Sequence, residues 1–163
     1  MKIRLTQHSD LPSIVAIYNA SIPAHTATAD TAPVTVDERE AWFEAHQRPA
    51  RPLWVAEKDD QIVGWVSLST FYARPAYDPT VEISFYVDPD HQRQGIGRTL
   101  VQHACAAARG LGIMTILAVV FAHNDASLRL LESVGFAQWA HLPRITHMPE
   151  GRRDVLILGL EVS

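Results

Sequence analysis

The chain has little of what would make it secreted, membrane-spanning or nucleic-acid-binding. It holds one cysteine, Cys105, so no internal disulfide forms and a reducing, cytoplasmic setting is expected. Cys105 falls among alanines and reads as a small core residue, with a reactive thiol as the alternative. No long apolar run follows the basic residues near Met1, so no signal peptide is expected, and no run elsewhere is long enough to cross a bilayer. Basic residues are outnumbered: 14 Lys and Arg against 18 Asp and Glu give a net charge of −4. Neither nucleic acid nor an anionic membrane is therefore an expected partner. The eight histidines lack metal-ligand spacing such as HExxH, so no metal is expected, and His91 and His123 read as surface or capping residues. Repeats, linkers and low-complexity stretches are also missing, which makes residues 1–163 one domain.

What is present is periodic. Lys2–Leu5 alternates as a strand. Asp10 is the expected N-cap, and Pro12 an early position, of a helix carrying Leu11, Ile14, Val15, Ile17 and Tyr18 and ending near Asn19–Ser21. Residues 22–35, rich in Thr, Ala and Pro, form either an ordered loop beside a site or a flexible one. Thr35 or Asp37 can cap a second helix with Trp42 and Phe43. Leu53–Glu57 and Ile62–Phe71 read as strands joined by a turn at Asp59-Asp60, with Trp54 and Trp65 in the core. A loop at Tyr72–Pro79 follows. Beyond residue 108, Gly110 and Gly112 stop a helix, and Thr115–Phe121 is apolar enough for a buried central strand. Asn124 can cap a helix that ends at Gly135. Phe136–Leu142 and Asp154–Leu160 close the chain as strands, with a loop near Pro149–Gly151. About seven strands and four helices result: an α/β (α+β) domain whose sheet is mostly antiparallel, with one βαβ crossover over Val81–Phe121.

The densest signal lies at Thr80–Ala108. Val81, Ile83, Phe85 and Val87 alternate with Glu82, Ser84 and Tyr86, and Asp88-Pro89-Asp90 ends that strand. A loop follows, Gln92-Arg93-Gln94-Gly95-Ile96-Gly97, and opens a helix with Ile96, Leu100, Val101, Ala104 and Ala108 on one stripe. Strand, glycine loop and helix start are how a backbone cradles a phosphate. No Lys-Ser/Thr follows Gly97, which excludes a Walker loop, and the acidic residue of a dinucleotide fold is missing after the second strand. Glu82 sits between Val81 and Ile83 in a strand, where glutamate fits poorly. It is either a site residue or a member of the polar face that Ser84 shares.

Gln92-Arg93-Gln94-Gly95-Ile96-Gly97 matches the Q/R-x-x-G-x-G/A acetyl-CoA motif, and on this the chain resembles the GNAT N-acetyltransferases. Further blocks place it nearest the phosphinothricin and methionine-sulfone branch: Ile17-Tyr18-Asn19, Ala73-Arg74-Pro75-Ala76-Tyr77, Thr80-Val81-Glu82, Pro89-Asp90-His91-Gln92, and Asn124-Asp125-Ala126-Ser127-Leu128-Arg129-Leu130 before Gly135-Phe136. The resemblance implies a sheet that splays at the cofactor strand and acetyl-CoA as cosubstrate. Its pyrophosphate would lie on the N–H groups of Arg93 to Gly97, with added charge from Arg93 or Arg98, and its pantetheine arm along Phe85-Tyr86-Val87. Asn124 would contact CoA. Glu82 would be the general base for a small primary amine, with the N–H of Val87 or Tyr86 polarising the thioester carbonyl. Arg74, Tyr77 and Asn19 would meet the acceptor, and two chains would form a homodimer. One departure stands out. Many relatives carry a tyrosine after the asparagine to protonate the leaving thiolate; here the matching position is Leu131, and residues 122–135 contain no tyrosine.

Overall fold

The computed structural model describes residues 1–162. Its centre is one seven-stranded sheet in the order β1-β2-β3-β4-β5-β7-β6. β1 (Lys2–Leu5), β2 (Leu53–Lys58), β3 (Gln61–Thr70) and β4 (Thr80–Val87) run antiparallel in sequence. β4 then pairs parallel with β5 (Thr115–Phe121) through the crossover helix α3 (Ile96–Ala108). β7 (Gly151–Glu161) lies antiparallel between β5 and the edge strand β6 (Ala137–Met148). The remaining helices are α1 (Leu11–Ser21), α2 (Val36–Ala45) and α4 (Asp125–Val134).

Alternation along the strands builds two cores. Val81 and Ile83 of β4, with Val66 and Leu68 of β3, meet Ile96, Leu100 and Ala104 of α3 and Leu131 of α4. The opposite face sends Leu53, Val55 and Trp65 against Leu11, Ile14, Val15 and Tyr18 of α1 and Phe43 of α2. Trp54 and Trp65 are buried in these two cores, as their periodicity implies. Cys105 packs beside the first core, and burial pushes its thiol up to about 11, which makes it a structural residue rather than a reactive one.

Local chemistry explains most boundaries. Thr35 caps α2: its hydroxyl accepts from the Glu38 N–H at 3.1 Å, while Glu38 accepts from the Thr35 N–H at 3.1 Å. Asp59 and Asp60 both hold left-handed backbone in the β2–β3 hairpin. Gly112, at φ +74, ends the turn that follows α3.

Two expectations need correction. Asp10 precedes α1, but its carboxylate does not cap it. The side chain turns back to accept from the Gln7 N–H at 2.7 Å and from both terminal nitrogens of Arg4 at 2.8 and 3.0 Å, because a guanidinium outcompetes a helix amide. The closing strands are also longer than the apolar pattern implied. They form one hairpin with only Pro149-Glu150 between them. Pro143 and the polar residues around it obscure β6, and the pairing there slips from Leu142↔Val155 to Thr146↔Arg153. Asp154 holds this irregularity, accepting from the Arg144 N–H at 2.8 Å and meeting His141 Nε2 at 2.7 Å.

The Arg4–Asp10 pair ties β1 to the start of α1, and Arg4 Nε also reaches Glu57 of β2 at 2.9 Å. Burial raises the Asp10 carboxyl, but Arg4 and the Gln7 N–H outweigh it and hold it below the ordinary carboxylate value. A lowered folded-state pKa gives stability that is present above the unfolded value of about 3.9 and is lost as pH falls through the folded one. Asp10→Asn is therefore expected to destabilise the protein by about 1–3 kcal/mol at pH 7. In thermal melts its deficit should shrink steadily below about pH 4; a deficit that stays constant to acid would contradict the ion-pair account.

Candidate active site

β4 and β5 pair only at Thr80↔Thr115, Val81↔Ile116 and Glu82↔Leu117. Beyond Glu82 the strands part. β4 stays registered on β3 as far as Val87↔Gly64, and β5 on β7 as far as Phe121↔Val155, so each continues with its other neighbour. A wedge opens between Ser84–Tyr86 and Ala118–Val120, and a cavity of about 410 Å³ continues from it. From Glu82 to Val87 the strand rises about 16 Å.

The wide end of the cavity is built for an anion. Arg93 (φ 61) and Gly95 (φ 79) both take left-handed backbone on either side of Gln94, which curls successive N–H groups into a concavity. The N-terminus of α3 begins at Ile96, with its first amides unpaired within the helix. Gly97 is closely packed: an added Cβ would lie 3.1 Å from Leu130 Cδ1, which would have to shift by a few tenths of an ångström, and 3.6 Å from Val87 Cγ2. Gly95, Ile96, Gly97, Arg98, Gln92 and Arg93 all line the cavity, as do Phe85, Tyr86 and Val87. Asn124 lines it as well and caps α4, accepting from the Ser127 N–H at 3.2 Å. Gln94 turns away and accepts from Lys58 Nζ at 3.1 Å.

Several lining residues were not among the expected site residues. Thr26 and Ala27 come from the 22–35 segment, and Ser127 and Leu130 from α4. Leu131, the position matched to a tyrosine in many relatives, is fully buried in the core. His91 also lines the cavity, with Nδ1 3.4 Å from the Asp88 carboxylate. His123 donates to or faces the His25 carbonyl at 3.0 Å from Nε2, and since a carbonyl only accepts, that nitrogen carries the proton.

The 22–35 segment is ordered beside the site. The Tyr18 hydroxyl meets Thr28 Oγ1 at 2.7 Å and also bonds Asp30. The Tyr86 hydroxyl donates to the Ala27 carbonyl at 3.3 Å, and His25 pairs with Glu150 at the tip of the β6–β7 hairpin. Asn19 belongs to this tether rather than facing the cavity. Its amide nitrogen donates to the Val34 carbonyl and its oxygen accepts from the Val34 N–H, both at 2.9 Å.

Glu82 lies at the narrow end, half-buried. Burial raises its carboxyl above the ordinary value, and no hydrogen-bond partner is recorded for it among the described residues. Arg74 and Tyr77 lie in the loop leading into β4, outside the cavity lining. Arg74 stacks over the Tyr72 ring at 5.5 Å, and Tyr77 is exposed beside Tyr72 at 5.3 Å. Buried Arg51, unmarked in the sequence, braces that loop: it donates to Thr70 Oγ1 and to the Asp78 carbonyl, both at 3.0 Å. Among the described residues no group of three or more His, Cys, Asp or Glu could hold a metal, and no helix is long and apolar enough to cross a membrane.

An anion cradle and a desolvated carboxylate at opposite ends of a splayed strand suit an enzyme that transfers a group carried on a phosphorylated cofactor. The chain belongs to the acetyltransferase (GNAT) family, whose model matches residues 14–136. A Bacillus subtilis (strain 168) protein, YwnH, whose name assigns it provisionally to the phosphinothricin acetyltransferases, is 45% identical over 164 residues, covering 100% of both chains. The L-methionine sulfoximine/L-methionine sulfone acetyltransferase of Salmonella typhimurium (strain LT2) is 34% identical over 145 residues, covering 89% of this chain and 85% of that one. The solved structure of yncA from Salmonella typhimurium, with its cofactor acetyl-CoA, has a TM-score of 0.93 and 31% identity, covering 99% of this chain and 94% of that one.

Asn19→Ala removes both bonds to Val34 and should cost about 1–2 kcal/mol. Hydrogen–deuterium exchange of the Val34 amide and of residues 26–30 is expected to rise; exchange that matches wild type would show that Asn19 is not the tether.

Proposed function

We propose that the chain is an acetyl-CoA-dependent N-acetyltransferase acting on the primary amine of a small, amino-acid-like acceptor of the phosphinothricin or methionine-sulfone kind. The observation that carries this reading is the separation of β4 from β5 immediately after Glu82. It leaves the open edge of Phe85–Val87 for the pantetheine arm to pair with as an added strand. The cradle at Arg93–Gly97 takes the pyrophosphate, with Arg98 alongside and Asn124 on the arm. The thioester then comes to rest near Glu82. The names of YwnH and of the Salmonella typhimurium sulfoximine/sulfone enzyme support the acceptor class.

The acceptor arrives as an ammonium, whose nitrogen has no lone pair for attack. Glu82 takes the proton, directly or through water, and its raised pKa brings it closer to the working pH. The free amine attacks the thioester carbonyl, whose oxygen the N–H of Tyr86 or Val87 polarises. The tetrahedral intermediate collapses with loss of CoA thiolate. With Leu131 buried in the core, the thiolate leaves without a tyrosine at that position, which a thiol pKa of about 8.5 permits near neutral pH. Arg74 and Tyr77 meet the acidic end of the acceptor in this reading. Arginine's two-pronged fork suits a carboxylate or phosphinate, and release from Tyr72 would bring it to bear.

A homodimer is part of the same reading. The sheet face over β5, β7 and β6 is not covered by α1 or α2, and it carries exposed Val119 (45%) and Trp139 (50%), the latter packed on Gly159. The cytoplasm is the matching compartment for a chain whose one cysteine is a partly buried free thiol.

Glu82→Gln keeps the shape and removes the base. Acetyl-CoA affinity by calorimetry should stay within about twofold, while CoA-thiol release with methionine sulfone or phosphinothricin falls by about 100-fold or more. Unchanged turnover would remove Glu82 from the mechanism. Binding of acetyl-CoA without wild-type turnover on a broad amine panel would make the chain an acyl-CoA-binding module.

A further inference from the structure

Glu82 has neighbours that the reading above leaves unused. In the antiparallel register Ser69 of β3 stands directly opposite Glu82, and Ser67 opposite Ser84. Opposed residues project to the same face with Cβ atoms about 5 Å apart. That face is the one covered by α1 and α2. His46, just past the end of α2, reaches onto it: its Nε2 lies 2.9 Å from Ser69 Oγ, and its Nδ1 lies 2.8 Å from the Trp42 carbonyl.

The Trp42 distance fixes one proton, and the surroundings of the ring fix the other. A carbonyl oxygen only accepts, so Nδ1 carries the proton and donates to Trp42. The imidazole is buried and lies near the Arg39 guanidinium; both lower its pKa, against a raising contribution from the Trp42 bond, and the net effect favours the neutral ring. A neutral ring with its proton on Nδ1 offers only a lone pair at Nε2. Ser69 must therefore donate its hydroxyl proton to His46, and its oxygen has only lone pairs left for any other neighbour.

We propose that His46 and Ser69 are positioning residues that set the basicity of Glu82, the imidazole orienting the Ser69 hydroxyl so that it presents a lone pair, not a proton, toward the carboxyl. A lone pair can bond the protonated carboxyl and repels the carboxylate, so the pair favours the proton-accepted form of Glu82. When Glu82 takes a proton from the acceptor amine, the new O–H of the carboxyl donates to Ser69 Oγ, and the Ser69 O–H to His46 stays intact. No proton leaves the pair in this step. The inference rests on the reading of Glu82 as general base. The face holds few competing charges. Burial raises the Glu82 carboxyl, and no charged side chain contributes to that direction. Arg39 acts on His46, the Tyr18 and Tyr86 phenols lie on the α1 side with Asp30 bonded to Tyr18, and Arg48 shares a depression of about 380 Å³ with His46.

The test is the acid limb of kcat/KM against pH, with the Glu82 carboxyl also followed directly by carbon-13 NMR in the presence of CoA. His46→Leu removes the acceptor at Nε2 and frees the Ser69 hydroxyl to donate to the carboxylate. The Glu82 titration is expected to move down by about 0.5–1 pH unit, a factor of about 3 to 10 in its proton affinity. In a Ser69→Ala background the same change should produce no further shift. Ser69→Thr keeps the hydroxyl and is expected to keep the wild-type profile, whereas Ser69→Ala alone moves the titration down by deleting the lone pair. This serine pair decides the matter if His46→Leu fails to fold. A Glu82 titration unmoved by both His46→Leu and Ser69→Ala overturns the proposal. Glu82→Gln separates that result from failure of the underlying reading. If it abolishes turnover while the histidine and serine variants titrate like wild type, Glu82 remains the base and only the tuning falls. If it retains full turnover, the base assignment falls, and the proposal with it.

Discussion

Everything in the site follows from two strands that cannot stay together. A parallel pair gains evenly spaced hydrogen bonds only while its partners keep step, and β4 and β5 keep step for three residue pairs. Each is then held by its antiparallel neighbour through the full length of its registered pairing. Those neighbours carry the cost of the separation. The opening exposes backbone donors and acceptors on the inner edge of β4 in the middle of a sheet, where edges are otherwise absent. An edge in a sheet's interior is protected from other proteins yet reachable by a thin, extended ligand. The α3 terminus lies at the wide end because the crossover leaves β4 there, and Asn124 joins it because β5 runs parallel to β4 and ends on the same side.

The second dependence is that of the rim on the core beneath α1 and α2. Tyr18 and Tyr86 stack edge to face at 5.1 Å, and both hydroxyls hold the 22–35 segment. The same Tyr86 that packs against Trp65 at 4.9 Å therefore also lines the cavity. Apolar packing on the α1 side of the sheet and the shape of the cavity mouth are one construction. A substitution in Trp65 or Tyr18 would be felt at the site without touching a ligand.

Much of this was legible in residue order, and the parts that were not share a physical cause. Strand alternation at Val81–Val87, the glycines at 95 and 97, the Asn124 cap and the Thr35 capping box are local signals, readable from a few neighbours, and they place the sheet, the anion cradle and the helix starts. Glu82 was legible as a misfit, an acid among β-branched residues. Asn19 was expected to close over the acceptor together with the 22–35 loop, and its amide is bonded to Val34 of that loop, fifteen positions away, a partner that no local pattern marks. Asp10 looked like a cap because a cap needs only local sequence, while its guanidinium partner comes from β1. Gln94 sits inside the motif yet faces Lys58, because left-handed backbone on both sides of it turns its side chain outward. His46 and Arg51 carried no signal at all. Their roles come from Ser69, Thr70 and Asp78, whose nearness depends on the β3–β4 register and the loop before β4.

The clasp between His25 and Glu150 joins residues 125 positions apart. During synthesis at about 5–20 residues per second, the amino-terminal half of the cavity would wait roughly 6–25 seconds for its fastening to emerge from the ribosome. For that interval the Thr26–Ala27 rim has only its tyrosine tethers. Until β7 emerges, β5 also lacks the antiparallel neighbour that holds it away from β4, so the same hairpin completes both the wedge and its rim. The β6–β7 hairpin thus acts as a marker of progress: the finished rim exists only once the chain has been translated through these two strands.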